Sequence, residues 1–477
     1  MGKTCASLPK RALAGYAWTM LRQLGTRLTA FFRATTPDPF VLAVFLTVVV
    51  FALAWTVEGT DPVDIVRAWQ GDAGFFALLA FSMQMVLILV TGHALASTRP
   101  VRAALRSLAR RPTSGAQAAA LVSAVSIACA LLNWGLGLIV GALLAREVGR
   151  SCAERGVKAH YPLLAAAGYS GLMTWHGGLS GSAPLKMTTE PDLVRFLGEE
   201  VAGRVDPVPF TETVLGSANL VVSGGLFVLV PLVCFLVAPR GEDPSAGIDA
   251  YQPEPDAEGP EPAPETWPER IERSPLTMLL IAVPLAAAVA VWLADVGIDA
   301  LDPNAINLLF LLLGLVMHGS LYRYARAVGE ATRGAAGIVL QFPFYAGIMG
   351  VMRTTGLARD LADGLVRHAP TELYTTVTFL SAGLVNLFVP SGGGQWAVQG
   401  RIAVNAAHEL GVPLEQVIMS VAYGDQWTNM LQPFWALPLL AITGVKARDL
   451  MGYTFLFLVV GGLWMAGALI VQSTLLG

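Results

Sequence analysis

The run Asn386-Leu387-Phe388-Val389-Pro390-Ser391-Gly392-Gly393-Gly394-Gln395-Trp396 cannot continue a helix, yet the residues on either side of it suit little else. Pro390 drives the residue before it to extended backbone, and three consecutive glycines permit conformations that aim several N–H groups at one point. With Gln395 opening the following helix, the positive N-terminal end adds to those groups and forms an anion site that a carboxylate fits. The plain alternative is a re-entrant turn that uses glycine for packing. The choice depends on the solvent, because irregular backbone at membrane depth is tolerated only inside protein or against a wet cavity.

That solvent is lipid. Of 477 residues, 54% are apolar and 14% charged, against roughly 25% charged in a soluble domain. Phe40 to Val57, Gly74 to Ala96, Thr213 to Val237, Pro275 to Ala294, Asn304 to Leu321 and Tyr453 to Val471 read as spans, and Gly334 to Met352 as a weaker one. The net charge of −3 and the lack of a basic, aromatic-laced stripe argue against nucleic acid as a partner. Cys5, Cys129, Cys152 and Cys234 lack the close pairing of a metal or redox site and are structural or incidental.

Orientation follows from charge. The segment 98–112 holds Arg99, Arg102, Arg106, Arg110 and Arg111 without an acid, whereas the preceding loop holds Glu58, Asp61, Asp64 and Asp72. The positive-inside rule then places the N-terminus in the cytoplasm. Residues 1–38 are a basic cytoplasmic segment without signal-peptide character, and Ala14 to Leu28 is either an interfacial helix or a solvated tail. Residues 239–274, with Glu254, Asp256, Glu258, Glu261 and Glu265, are too polar to pack and too proline-rich to be regular. They form a cytoplasmic linker between a first membrane half, 39–238, and a second, 275–477.

The halves resemble each other. Leu131-Leu132-Asn133 matches Leu384-Val385-Asn386, and Tyr169, Thr174, Pro184 and Leu185 recur at matching spacing as Tyr423, Thr428, Pro438 and Leu439. Each half offers a hairpin (Ala116 to Val148; Leu373 to Ala407) and a broken helix (Tyr161 to Leu185; Pro413 to Ile442). Counting crossings puts the two hairpins on opposite sides. The fold expected is therefore all-α and polytopic, with two inverted repeats, each carrying a re-entrant hairpin and a broken helix, a plan that secondary transporters use.

Chemistry concentrates at the breaks. Asn133 and Gly135 form the first tip, although an Asn there also serves simply to bond helix to helix. In the first broken helix Thr174, Ser180 and Ser182 set hydroxyls beside freed carbonyls. His176 there suits either proton transfer or a neutral contact to a loop carbonyl. In the second broken helix Asp425 is the sole acid between Glu415 and Asp449. An ionised Asp at mid-bilayer costs on the order of 2.5–3.5 kcal/mol, so the expectation is proton or cation coupling through Asp425, assisted by Asn386 and Asn133. The alternative is an Asp that caps a helix. Gln426, Thr428, Asn429 and Gln432 would line the same cavity, and Trp134, Trp175, Trp396 and Trp427 either wall a pocket or mark the membrane interface.

At Asn133-Trp134-Gly135-Leu136-Gly137, Trp175 to Pro184, Val389 to Trp396 and Gly424-Asp425-Gln426-Trp427-Thr428-Asn429 the sequence resembles the short-chain fatty acid transporter family. The resemblance covers nearly the whole chain. It implies uptake of short carboxylates such as butyrate and acetoacetate across the bacterial inner membrane, within a wider group of inverted-repeat ion transporters. Arg401 departs from the family pattern, which has proline there; it either snorkels or pairs with substrate.

The expected partners are a small carboxylate, the lipid bilayer and, as an open arrangement, a second copy in a homodimer. Substrate contacts fall to Asn133, Gly135, Thr174, His176, Ser180, Ser182, Ser391, Gly392, Gly393, Gly394, Gln395, Trp396, Thr428 and Asn429. No cofactor is called for, and Na⁺ or H⁺ is the coupling ion. Competing readings are a dicarboxylate transporter, a passive channel, and an intramembrane hydrolase using Ser180 or Ser182 with His176, for which no acid stands near in sequence to orient the imidazole.

Overall fold

The computed structural model describes residues 25, 27–239, 246–251, 264–296, 303–366 and 369–476. Among them the regular structure is all helical. The first half contains α1 (Pro39–Thr56), α2 (Leu79–Ser97), α3 (Gly115–Leu132), α4 (Trp134–Glu154), α5 (Tyr161–Tyr169), α6 (Ser182–Leu185) and α7 (Ser217–Val237). The second contains α8 (Pro275–Val296), α9 (Pro303–His318), α10 (Ala336–Thr354), α11 (Leu357–Val366), α12 (Tyr374–Asn386), α13 (Gly392–Leu410), α14 (Leu414–Thr428), α15 (Pro433–Thr443) and α16 (Ala447–Leu476). Seven helical stretches among the described residues are long and apolar enough to cross a membrane. The chain is a multi-pass membrane protein.

Several boundaries move for identifiable reasons. Gly74 to Leu78 is a turn rather than the start of a span, because Gly74 N–H and Phe75 N–H bond back to Gly71 and Trp69 carbonyls. α9 ends at His318, where Gly319 takes φ +73° and Ser320 caps the next helix through its hydroxyl. α4 runs six residues past Val148, and α13 three past Ala407, to a left-handed Gly411.

α3 and α4 form one hairpin about Asn133, and α12 and α13 another about residues 387–391. The arms of the first hairpin are 18 and 21 residues long. Both broken helices are present: α5 gives way to 3₁₀ turns over Ser170–Met173 and Trp175–Gly177 before α6, and α14 to a single 3₁₀ turn over Asn429–Leu431 before α15. α12 packs most extensively on α14, so the second hairpin leans on the second broken helix.

Lipid resembles the apolar side chains it would exchange with, so specific hydrogen bonds rather than burial hold such breaks in place. The breaks free backbone groups, and neighbouring elements take them up. Tyr169 OH donates to the carbonyls of Asn429 (2.8 Å) and Gln432 (3.1 Å), tying the first broken helix to the break in the second. Asn219 Nδ2 on α7 donates to Gly177 O, and Leu179 N–H to Leu131 O. Interhelical bonds of this kind contribute about 0.6 kcal/mol each on average. α1 and α8 bury only 22% and 11% of their apolar windows inside the protein, leaving broad faces for lipid.

The linker differs from expectation in its described parts. Ala246 and Ile248 are buried, Tyr251 meets Tyr161 at the start of α5 with ring centroids 5.8 Å apart and planes tilted by 46°, and Trp267–Glu272 is a helix. The apolar side chains of this short stretch find a seat beside Gly149 on α4, which average composition conceals. Glu254, Asp256, Glu258 and Glu261, and the basic segment up to residue 24, lie outside the described residues.

Candidate functional site

A cavity of about 250 Å³ forms where the two hairpin tips and the two broken helices meet. The first half lines it with Phe81, Gln84, Trp134, Leu172, Trp175 and Ser182, and the second with Pro303, Ser391, Gly392, Gly393, Asn429 and Trp435. The rings form a connected wall: Trp134 sits edge-on to Trp175 at 6.4 Å and to Trp435 at 5.3 Å, and Trp435 meets Phe81 at 6.0 Å.

The polar end is the start of α13. Ser391 caps it, accepting the Gly394 N–H at its hydroxyl (3.2 Å) while its carbonyl accepts the Gln395 N–H (2.6 Å). The helix thus begins at Gly392, not at Gln395. The first N–H groups of a helix have no intrahelical partner, and those of Gly392 and Gly393 find none among the described residues. Glycine is required at 392 by close approach: a Cβ there would stand 2.7 Å from Trp175 Cη2 and 2.9 Å from His176 Cε1. At Gly393 the nearest atom would be Lys186 Cε at 3.7 Å.

Behind this wall lies a polar network. His176 stacks on Trp175 with centroids 4.3 Å apart, and its Nδ1 is 3.0 Å from Asp425 Oδ1. The backbone N–H of Ala183 donates to His176 Nε2 at 2.9 Å, which assigns the ring proton to Nδ1 and makes the imidazole the donor to Asp425. Gln426 Oε1 accepts the N–H groups of His176 and Gly177, both at 3.1 Å. Asn386 Nδ2 contacts Asp425 O (2.7 Å), Thr428 Oγ1 (3.0 Å) and Asn429 Oδ1 (3.0 Å), and Gln432 Nε2 donates to Asn386 O. Three buried oxygens of this network have no protein partner: Asp425 Oδ2, Asn386 Oδ1 and Gln432 Oε1.

Of the residues singled out in the sequence, Trp134, Trp175, Ser182, Ser391, Gly392, Gly393 and Asn429 line the cavity. Others support it from behind. Asn133 caps α4 by accepting from Gly135 and Leu136 N–H, and Ser180 Oγ accepts the Trp134 N–H at 3.0 Å. Thr174 donates to Gly171 O and Thr428 to Gly383 O.

Two assignments need correction. Gln395 is buried against Ala382 O and Gln399. Trp396 is fully buried in a separate apolar cluster with Tyr374 and Val404, and Trp427 packs on Phe379, so neither walls the cavity. The alternative of Asp425 as a helix cap falls away, because it lies inside α14.

Arg401 lies elsewhere, exposed and paired with Glu200 at 3.3 Å. The hydrolase reading lacked an acid near His176 in sequence, and the structure supplies one: Asp425 orients His176, from 249 residues away. A triad is nonetheless absent, because the backbone of Ala183 occupies the ring nitrogen that a serine would need.

Phe81, Gln84, Leu172, Pro303 and Trp435 went unnoticed in the sequence. Gln84 carried a usable signal, a lone amide within the apolar run of α2. The aromatic walls carried none, because a ring in a lipid-soluble helix does not reveal which way it faces.

The sequence model of the short chain fatty acid transporter family matches residues 20–472. The chain is 39% identical to a protein of Escherichia coli strain K12 named for short-chain fatty acid transport, over 93% of this chain and 98% of that one. It is 38% identical to a Haemophilus influenzae protein named likewise, over 91% of this chain and 96% of that one. Among solved structures it is similar to the YdaH transporter of Alcanivorax borkumensis, at 16% identity and a TM-score of 0.42, over 91% of this chain and 98% of that one. It is also similar to MtrF of Neisseria gonorrhoeae, at 14% identity and a TM-score of 0.40, over 96% and 98%.

Proposed function

The chain belongs to the short-chain fatty acid transporter family, whose members are transporters and not enzymes, and from that premise we propose that it carries a short monocarboxylate such as butyrate or acetoacetate, driven by H⁺ or Na⁺. The observation that carries the substrate reading is the pairing, in one cavity, of two unpartnered N–H groups at Gly392 and Gly393 with the rings of Trp134, Trp175 and Trp435. The N–H groups and helix end stabilise a carboxylate, and the rings receive a short alkyl or acyl chain. At about 250 Å³ the cavity falls below the roughly 300–1,000 Å³ typical for drug-sized ligands, as a small acid requires.

Coupling is assigned to Asp425. Its orphan oxygen, with those of Asn386 and Gln432, supports capture of a cation or a proton. His176 links the two seats: its ring borders Gly392 on one side and bonds Asp425 on the other. Substrate at Gly392 and an ion at Asp425 would each bias the position of the same ring.

In this reading the chain sits in the bacterial inner membrane with its N-terminus cytoplasmic, and its halves are inverted repeats whose hairpins enter from opposite sides. The test is uptake of labelled butyrate or acetoacetate into proteoliposomes under imposed H⁺ and Na⁺ gradients. Gradient-dependent accumulation is expected; its absence for every short carboxylate, with dicarboxylates included as competitors, removes the proposal.

A further inference from the structure

A second concavity of about 1080 Å³ opens beside the outer two-thirds of α13. Arg195, Arg204, Arg353, Arg359 and Arg401 line it, against three carboxylates, Glu200, Asp363 and Glu409. Among the described lining residues two cations are in excess. Glu200 accepts from both Arg204 (3.0 Å) and Arg401 (3.3 Å), so one carboxylate serves two guanidinium groups. Arg353 and Arg359 are exposed and carry no ion pair among the described residues. Such a cleft concentrates anions.

The cleft and the cavity lie close together along α13. Ala397 and Val398 line the cleft, only four and five residues along α13 from Gly393, or about 6–7.5 Å. On the facing helix, Met349 packs against Gly394 at the tip, and Arg353 stands one turn further along α10. Lys186 spans the remaining gap: its Cε borders Gly393, while its ammonium lies 4.5 Å over the ring of Phe196, which lines the cleft.

We infer that this arginine cleft is the anion-collecting vestibule of the transporter, with Lys186 as its innermost cation, passing a carboxylate to the N–H groups at Gly392 and Gly393. The inference rests on the carboxylate reading above. It also assigns a side. α5 begins beside the docked linker and α7 ends in it, while residues 195–204 lie between the far ends of these two segments. With the linker cytoplasmic, the vestibule faces the exterior.

Two measurements test this independently of each other. Asn405→Cys places a thiol in the cleft, and its reaction with sulfonate-bearing and trimethylammonium-bearing methanethiosulfonates is read as the increment over protein lacking that substitution. Relative to a free thiol, the anionic reagent should be favoured by about tenfold at low salt, and the preference should collapse at high salt and in Arg353→Gln/Arg359→Gln protein. A free-thiol ratio at low salt, or one that the double substitution leaves unmoved, overturns the vestibule.

In uptake assays the double substitution should raise KM several-fold at low salt with Vmax unchanged. Lys186→Gln should raise KM further, and Lys186→Arg should restore it. An unchanged KM in these variants also overturns the inference. A wild type that takes up no short carboxylate yet shows the thiol preference removes the substrate reading and leaves the vestibule standing. Uptake without the preference removes the vestibule alone.

Discussion

His176 and Asp425 meet at 3.0 Å across the two halves of the chain, with the imidazole donating. The direction is fixed by Ala183, whose N–H holds Nε2 as an acceptor. A second ring proton would point at that N–H, so in the proposed coupling a proton would be exchanged at the free carboxylate oxygen rather than at the imidazole. Asp425→Asn keeps an oxygen for Nδ1–H while removing the charge. It should leave the protein monodisperse and retain substrate exchange, but lower gradient-driven accumulation by about tenfold or more, within the usual range of coupling between two sites. Unaltered accumulation ratios in proteoliposomes would take the coupling role from Asp425.

Adjacent glycines at the second tip should respond differently. Gly392→Ala forces a methyl into Trp175 and His176, an overpacking cost of about 1–3 kcal/mol, and should abolish uptake with a lowered Tm. Gly393→Ala meets Lys186 at ordinary contact distance and should keep Tm while weakening substrate affinity. Equal Tm losses for the two variants would contradict the geometry.

Trp435 closes the apolar side of the cavity against Trp134 and Phe81. Trp435→Ala should shift preference toward acids longer by two or more methylenes, since each is worth roughly 10-fold or more in a fitted pocket. Inhibition of labelled uptake by acids of increasing chain length reads this directly; an unmoved optimum argues that the chain lies elsewhere.

The two serines once eligible as nucleophiles have separable tasks. Ser180→Ala leaves the Trp134 N–H without its acceptor and should cost about 1 kcal/mol of stability. Ser182→Ala, on the cavity wall, should raise KM with little change in Tm. Neither serine should react with a fluorophosphonate probe.

Outside the spans, Glu58 lies against Asp360, and its carboxyl is pushed above the usual range, first by burial and then by that neighbouring carboxylate. The folded state therefore binds a proton more readily than the unfolded chain does. Stability should fall as pH rises from the ordinary carboxylate value through the raised one, the reverse of a salt-bridged acid. Glu58→Gln should raise Tm at neutral pH and flatten its decline between mildly acidic and neutral pH; an undiminished slope would remove Glu58 as the cause.

The breaks were legible in the sequence because glycine, proline and amides are conspicuous in an apolar background: Asn133, Ser170 to Gly177, Ser391 to Gly394 and Asn429 all fall where the chain turns or unwinds. Side-chain direction was not. Trp396 is one helical turn from the tip and inserts into a different cluster, while Trp435, outside the matched motif, closes the cavity. The His176 to Asp425 bond joins residues 249 apart, and only tertiary packing reveals it. Composition likewise hid Ile248, which is buried with Ala246 and docks an otherwise acidic linker.

Six of the cavity's walls come from each half, and no wall-forming segment crosses the linker. A half-molecule would therefore present Trp134 and Trp175 without an anion seat, or an anion seat with Trp435 as its sole tryptophan among the described lining residues. Expressed as two polypeptides divided within 252–263, neither fragment should retain a short acid alone. Transport would return only when the fragments pair in one membrane, which makes substrate retention a report on their assembly.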